Sequence, residues 1–323
     1  MTFPRCLSSW LALLPALLVV ASARAVTVPD LYETAQPVDG SRDAAFVEAL
    51  KTVLVRVSGQ RDAALRVGAE VSDPRKYVQR FGFTADNMLE VGFDSASIDG
   101  LLSNAGLPIW GRERPATVVM FGAEEGGGWR WLAADTPAQE REAIEKVARQ
   151  RGVPLKWPVM DAQERAEASA DSPGLLQAAQ RYGADAVLLG RSRGGVVQWT
   201  LLSKDGAAQT SGGIEDGVHL TADTFARVFA ASASSLGSVV VEVGGISNLD
   251  AYAATLNYLE GMTLVRGVAL EQVTGEKMRF RLAVRGDAAT LRRAIALDHR
   301  LVPLDAADGS PGAGDRLAFR YQP

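Results

Sequence analysis

Along the chain, apolar positions switch repeatedly between helical spacing and the alternation of a half-buried strand, which predicts short helices and strands in turn. The first helical stripe is Phe46, Ala49, Leu50, Val53 and Leu54, opened at Gly40-Ser41 and closed by Ser58-Gly59-Gln60. Its last turns, Val53-Leu54-Val55-Arg56-Val57, are rich in β-branched residues, which argues against a helix there. Val26 to Val38 reads as extended, and Met88 to Asp94 alternates as a strand does. A short helix capped by Ser95 or Ser97 carries Ile98, Leu101 and Leu102 as far as Gly106, before a short strand over Leu107 to Gly111.

From Ala116 onward the alternation is clearer. Strands are predicted over Thr117 to Phe121 and Trp129 to Ala133, around Gly126-Gly127-Gly128. Thr136, Pro137 and Gln139 have the spacing of a capping box for a helix carrying Ile144, Val147 and Ala148 and stopped by Gly152. Val153-Pro154-Leu155 begins another strand. A second helix, from Ser172-Pro173 through Leu175, Leu176, Ala179 and Tyr182 to Gly183, delivers the chain into the apolar strand Ala184 to Gly190. Such alternation implies crossover connections and a partly parallel sheet. Val196 to Ser203 and Ala207 to Ile214, turning at Asp205-Gly206, form a hairpin, and Thr221 to Leu236 reads as an amphipathic helix.

The remainder runs strand, helix, strand, strand, helix, strand, the ferredoxin-like βαββαβ order. Its strands are Val239 to Ile246, Leu264 to Val273, Met278 to Arg285 and His299 to Leu304; its helices are Asn248 to Met262 and Asp287 to Leu297. Gly309 to Gly314 precedes a last strand, Leu317 to Tyr321. The expected fold is therefore α/β and α+β: three small sheet-helix domains over 26–115, 116–237 and 238–323, the middle one partly parallel.

Composition narrows the chemistry. The chain has 323 residues, 47% hydrophobic and 22% charged, in the ordinary globular range. Cys6 is the single cysteine and His219 and His299 the two histidines, so disulfide frameworks and multi-cysteine zinc sites are excluded. A net charge of −4 gives no general attraction to nucleic acid. At the amino terminus, Arg5, the apolar run Leu11 to Val20 and Ala23-Arg24-Ala25 have the order of a secretory signal over 1–25. Cleavage is expected between Ala25 and Val26, with Ala23 as the competing site; the remaining chain would be cysteine-free, periplasmic or secreted, and without stable membrane insertion.

The runs AFVEALKTVLVRVSGQRD (Ala45 to Asp62), LEVGFD (Leu89 to Asp94), GLPIWGRERP (Gly106 to Pro115) and RYGADAVLLGR (Arg181 to Arg191) follow the leader in this order. Together they resemble a Gram-negative envelope family, the domain of unknown function 2066, over roughly Val28 to Trp199. That resemblance implies a secreted or periplasmic protein and transfers no functional residues. The middle segment is also similar to small α/β domains of envelope assembly proteins, such as the amino-terminal domain of the Tol translocation protein and the curli secretion lipoprotein.

Candidate sites are sparse. His219 lies near Glu215 and Asp216, and His299 beside Asp298; each reads more simply as a junction or turn residue than as a metal ligand. Gly190-Arg191-Ser192-Arg193-Gly194 has the letters of a nucleophile elbow, but it leads from strand to strand rather than from strand to helix. Arg191, Arg193 and Trp199 are the candidate ligand-binding residues, for a small anion or a glycan. Trp129 and Trp131 share one face of a strand, and Arg112 and Arg114 read as a solvated linker. No catalytic residue, metal ligand or cofactor is assigned. The leading expectation is a non-catalytic envelope assembly, accessory or scaffold factor with a protein partner and no nucleic acid. An anion- or glycan-binding protein is the alternative, and a carboxylate-based hydrolase comes third.

Overall fold

The first helix, Arg42–Ser58, begins where the Ser41 hydroxyl accepts the Asp43 N–H at 3.2 Å, and ends at Gly59, whose φ of 72° favours a residue without a Cβ. Its β-branched end stays helical because Val53, Leu54 and Val57 are all fully buried. Packing outweighs the few tenths of a kcal/mol that propensity costs per residue, about 0.5. The computed structural model describes residues 26–170, 174–232, 236–304 and 316–323. The expected leader with Cys6 and Ala25, the Ser172-Pro173 helix start and the Gly309 to Gly314 turn lie outside the described residues.

Against this helix packs an antiparallel sheet of Glu33–Pro37, Met88–Phe93 and Val78–Phe83, with Met88–Phe93 in the centre. The helix Ser95–Asn104 closes the core around Phe46, Leu50, Leu54, Leu89 and Ile98. Its cap is Asp94, not Ser95 or Ser97: the Asp94 carboxylate accepts the Ser97 N–H at 2.8 Å. The Val78–Phe83 strand offers only Phe81 and Phe83 as alternating apolar positions, and five of its six residues are exposed.

The central sheet runs in the order Gly206–Gly212, Val196–Ser203, Ala186–Arg193, Thr117–Glu125, Gly128–Trp131. Ala186–Arg193 and Thr117–Glu125 are parallel, and Leu155–Lys156 also joins Thr117–Glu125 in parallel. Both central strands are buried on both faces, which is why they read as continuous apolar runs rather than as alternations. Phe121, Leu188 and Trp199 meet helices Gln139–Arg151 and Asp216–Phe229 on one side. Val118, Val187 and Leu189 meet Ala162–Ala170 and Leu175–Gln180 on the other.

Three boundaries differ from expectation. The Thr136 capping box does not form; the helix starts at Gln139 with Ala138 as its cap. Asp216–Phe229 starts five residues before Thr221, because Val218 extends its buried stripe toward Trp199, and Leu236 opens the next strand instead of closing this helix. Helix Ala162–Ala170 was not expected, yet Asp161 and Glu164 exchange N–H to carboxylate bonds of 2.8 and 3.0 Å, the reciprocal bonding of a capping box.

The last sheet has the order Val265–Thr274, Lys277–Arg285, Leu236–Gly244, Arg316–Tyr321, Leu301–Pro303. Lys277–Arg285 splits the βαβ unit made by Leu236–Gly244, helix Leu249–Gly261 and Val265–Thr274, as the ferredoxin-like reading expects. The departure is at the other side. Arg316–Tyr321, with Leu317 and Phe319 buried, lies parallel beside Leu236–Gly244 and displaces the three-residue strand Leu301–Pro303 to the edge. The architecture is thus the expected mixture of α/β and α+β sheet-helix units. Among the described residues, no helix is long and apolar enough to cross a membrane.

Candidate functional site

Where the first helix meets Gln139–Arg151, three arginines are buried together. Arg114 is fully buried, and its donors all go to main-chain oxygens: Gly111 at 2.9 Å, Trp110 at 3.0 Å, Arg56 at 2.7 Å, Arg151 at 2.9 Å and Gly152 at 2.7 Å. The last three belong to the carboxyl ends of the two helices, where the backbone dipoles favour a cation. The guanidinium also lies 3.8 Å from the centre of the Trp110 ring. Burial, with Arg56 nearby, pushes its pKa well below the arginine value.

Arg56 is 7% exposed and ties the Asp30–Glu33 loop to the helix end. Its Nη1 donates to the oxygens of Asp30 at 3.1 Å and Glu33 at 2.5 Å, and its Nε to Gln150 at 3.4 Å. Burial lowers its pKa to about 10, so the group stays charged at neutral pH. Arg151 donates to Gly59 O at 2.9 Å and to Asp223 at 2.6 Å, and its Nη1 lies 2.7 Å from His219 Nδ1. Arginine can only donate, so Nδ1 is the acceptor and the imidazole is neutral. Burial, then the charges of Arg151 and Arg61, depress the His219 pKa accordingly.

Of these three arginines, Arg56 lines a groove of about 1220 Å³. One wall is the outer face and edge of the Glu33–Pro37 sheet; the other is helix Gln139–Arg151 and the strand Leu155–Lys156. Which main-chain groups face the groove follows from register. Phe93 N–H donates to Tyr32 O, and Val38 N–H to Asn87 O, both at 3.0 Å. Hence Tyr32, Thr34, Gln36 and Val38 spend their peptide groups on the neighbouring strand, while Glu33, Ala35 and Pro37 turn theirs to the open side. Glu33 N–H is taken by Asp30 O at 3.2 Å and its oxygen by Arg56, and Pro37 has no N–H. Ala35, exposed, has no main-chain partner for its N–H or C=O among the described residues.

The opposite wall repeats this. Thr117 N–H donates to Pro154 O at 3.0 Å within a parallel pairing, which leaves the peptide groups of Leu155 on the open side. Around the rim, Glu33 pairs with Arg80, and Glu145 with Arg141 at 2.8 Å and Arg149 at 3.8 Å.

The earlier candidates lie elsewhere. Gly190 faces Trp199 and Arg191 faces Gln198 across the hairpin, so Arg191 and Arg193 share one face of the sheet and Trp199 lies on the other. Trp199 is 1% exposed, with its indole N–H on Gly213 O at 3.0 Å. Arg191 donates to Ala168 O, and Arg193 pairs with Glu124 at 2.5 Å. The three residues therefore do not converge on one ligand. Arg114 is no solvated linker residue, because the carbonyl cage encloses it. Trp129 and Trp131 lie beside each other, 5.8 Å between centres with their planes tilted by 34°, and Trp131 packs over Gly122. His299 is half-buried in a turn. Among the described residues, no group of three or more His, Cys, Asp or Glu could hold a metal ion.

Fold and groove thus define a mixed α/β protein with an open slot between two strand edges. Residues 25–111, which contribute one wall, match the family model of a domain of unknown function, DUF8605. This corrects the resemblance drawn from the motifs: the matching family is a different one from the domain of unknown function 2066. No curated protein and no solved structure matches the chain.

Proposed function

We propose that the protein is a non-catalytic envelope factor, exported by its leader, that works by holding an extended polypeptide segment of a partner in this groove. The observation that carries the reading is the pair of open strand edges, at Ala35 and Leu155, on opposite walls of one groove. Main-chain pairing along an exposed edge gives affinity with little dependence on side chains, which suits an assembly or accessory role. The long edge Val265–Thr274 is a poorer candidate. Register shifts between Val265 and Gly267 and between Leu270 and Gln272 interrupt it, a device that blunts edge pairing.

The hydrolase reading would use carboxylates facing each other across the groove. Glu33 and Glu145 do line opposite walls, but each is engaged by arginine, Glu33 by Arg80 and Glu145 by Arg141, instead of facing a shared substrate position.

A photo-crosslinking residue placed at Ala35 in the native host tests the proposal, with Leu249, 76% exposed and remote from the groove, as control. Adducts mapping to one contiguous partner segment from Ala35 and none from Leu249 are expected. Equal labelling from both positions, or adducts scattered over unrelated chains, would overturn it.

A further inference from the structure

The groove has one end that is chemically unlike the rest. At Ala35 a guest strand meets an N–H and a C=O, as in any ladder. Two residues on, at Glu33, the carbonyl is already capped by Arg56, so the guest meets a guanidinium instead. Arg56 spends Nε and Nη1 on three main-chain oxygens, and Nη2 has no partner among the described residues. The residue lines the groove although it is 93% buried by its 7% exposure. Immediately behind it, Arg114 packs against the same Gly152 with no carboxylate in contact. Of the buried trio, Arg151 alone has an acidic side chain, Asp223, as partner.

Elsewhere the lining mixes both signs. Glu33 is paired with Arg80, and Glu145 with Arg141 and Arg149, which leaves Lys146 beside the exposed Asp30 and Glu90. At the Glu33 end the buried cations are Arg56, which lines the groove, and Arg114 behind it, with Asp30 the carboxylate whose charge reaches Arg56. A buried cation whose hydrogen bonds all go to neutral carbonyls is costly, and an arriving anion that bonds to it relieves that cost.

We propose that the groove ends in a carboxylate subsite at Arg56 Nη2, which takes the free C-terminal carboxylate of an extended polypeptide paired along Ala35. A chain terminus fits because the ladder has nothing to pair with beyond Glu33, and a guanidinium is the matching donor for a carboxylate. This rests on the groove being a polypeptide site. Its own content is that the bound segment ends there.

The probe is tetra-alanine, as the free acid and as its C-terminal amide, titrated into isotope-labelled protein while the Ala35 amide and Arg56 Nε signals are followed by NMR. The free acid should shift both signals and bind about tenfold or more tightly than the amide, the worth of one charged hydrogen bond. The amide should shift Ala35 and leave Arg56 unmoved. Equal affinity and equal shifts for the two peptides would remove the carboxylate subsite and leave the groove reading standing. No shift at Ala35 with either peptide would remove both. The comparison needs only the native protein. Arg56→Lys, which keeps the charge, serves as a second check and should lose the preference for the acid if the variant retains the native spectrum.

Discussion

Arg114 shows how a single buried side chain can hold a seam. Five main-chain oxygens from the linker and two helix ends converge on one guanidinium. Arg114→Met keeps the bulk but orphans those acceptors, and should cost about 3 kcal/mol or more, since each buried unsatisfied group costs roughly 1–3. Urea unfolding checks this as a lower midpoint. His219 makes the seam sensitive to pH. Its folded pKa lies below the unfolded value of 6.5, so the unfolded chain binds more protons below that pH and stability falls as the pH drops. Asp223 and Glu215 oppose the shift, while burial, Arg151 and Arg61 outweigh them. The stability lost on acidification from pH 7 to 5 should therefore be smaller in His219→Gln, measured by denaturant midpoints at several pH values. Such residues were hard to read in the sequence. Arg56 stands alone in the apolar run Val53 to Val57, a visible sign of a buried cation, whereas Arg114 sits among Arg112 and Glu113 and looks like solvated chain.

At the scale of elements, packing is close around Trp199. The indole lies between the strand at Gly190 and the helix at Gly217, where a built Cβ would come within 2.3 Å of the ring at each position. Neither glycine is needed for its backbone angle; both are needed for the close approach of a strand and a helix to one ring. Gly190→Ala forces the ring off its rotamer, an overpacking penalty of about 1–3 kcal/mol. Thermal unfolding followed by tryptophan fluorescence should show a lower midpoint and a changed native emission. This explains why Gly190 to Gly194 looked like a motif: its first glycine serves core packing, and Gly194 takes a turn φ of 59°. Strong stripes such as Phe46 to Leu54 and continuous runs such as Val187 to Leu189 made most helices and strands legible. The strand Val78–Phe83 was not, because it is an exposed edge on which Phe81 and Phe83 alone alternate, too short a pattern to mark it.

Across the whole molecule, buried polar hubs join what the pattern separates. Asp99 accepts the Tyr32 hydroxyl at 2.7 Å and binds Arg266 at 2.5 Å and Arg285 at 2.6 Å, tying the first sheet-helix unit to the last. The arginine cluster ties the first to the middle, and the groove opens along that same seam. No single stretch of sequence contains the groove, since one wall comes from 26–37 and 80–92 and the other from 145–157, which is why hydrophobic periodicity could outline the units but not the site. The central claim is that a partner segment pairs with the Ala35 edge. Hydrogen–deuterium exchange on the protein bound to its crosslinked partner, compared with the free protein, tests it most directly. The account predicts slowed exchange at the Ala35 and Leu155 amides, with the edges Gly206–Gly212 and Val265–Thr274 unchanged. Protection at either of those edges, with Ala35 and Leu155 unaffected, would contradict it.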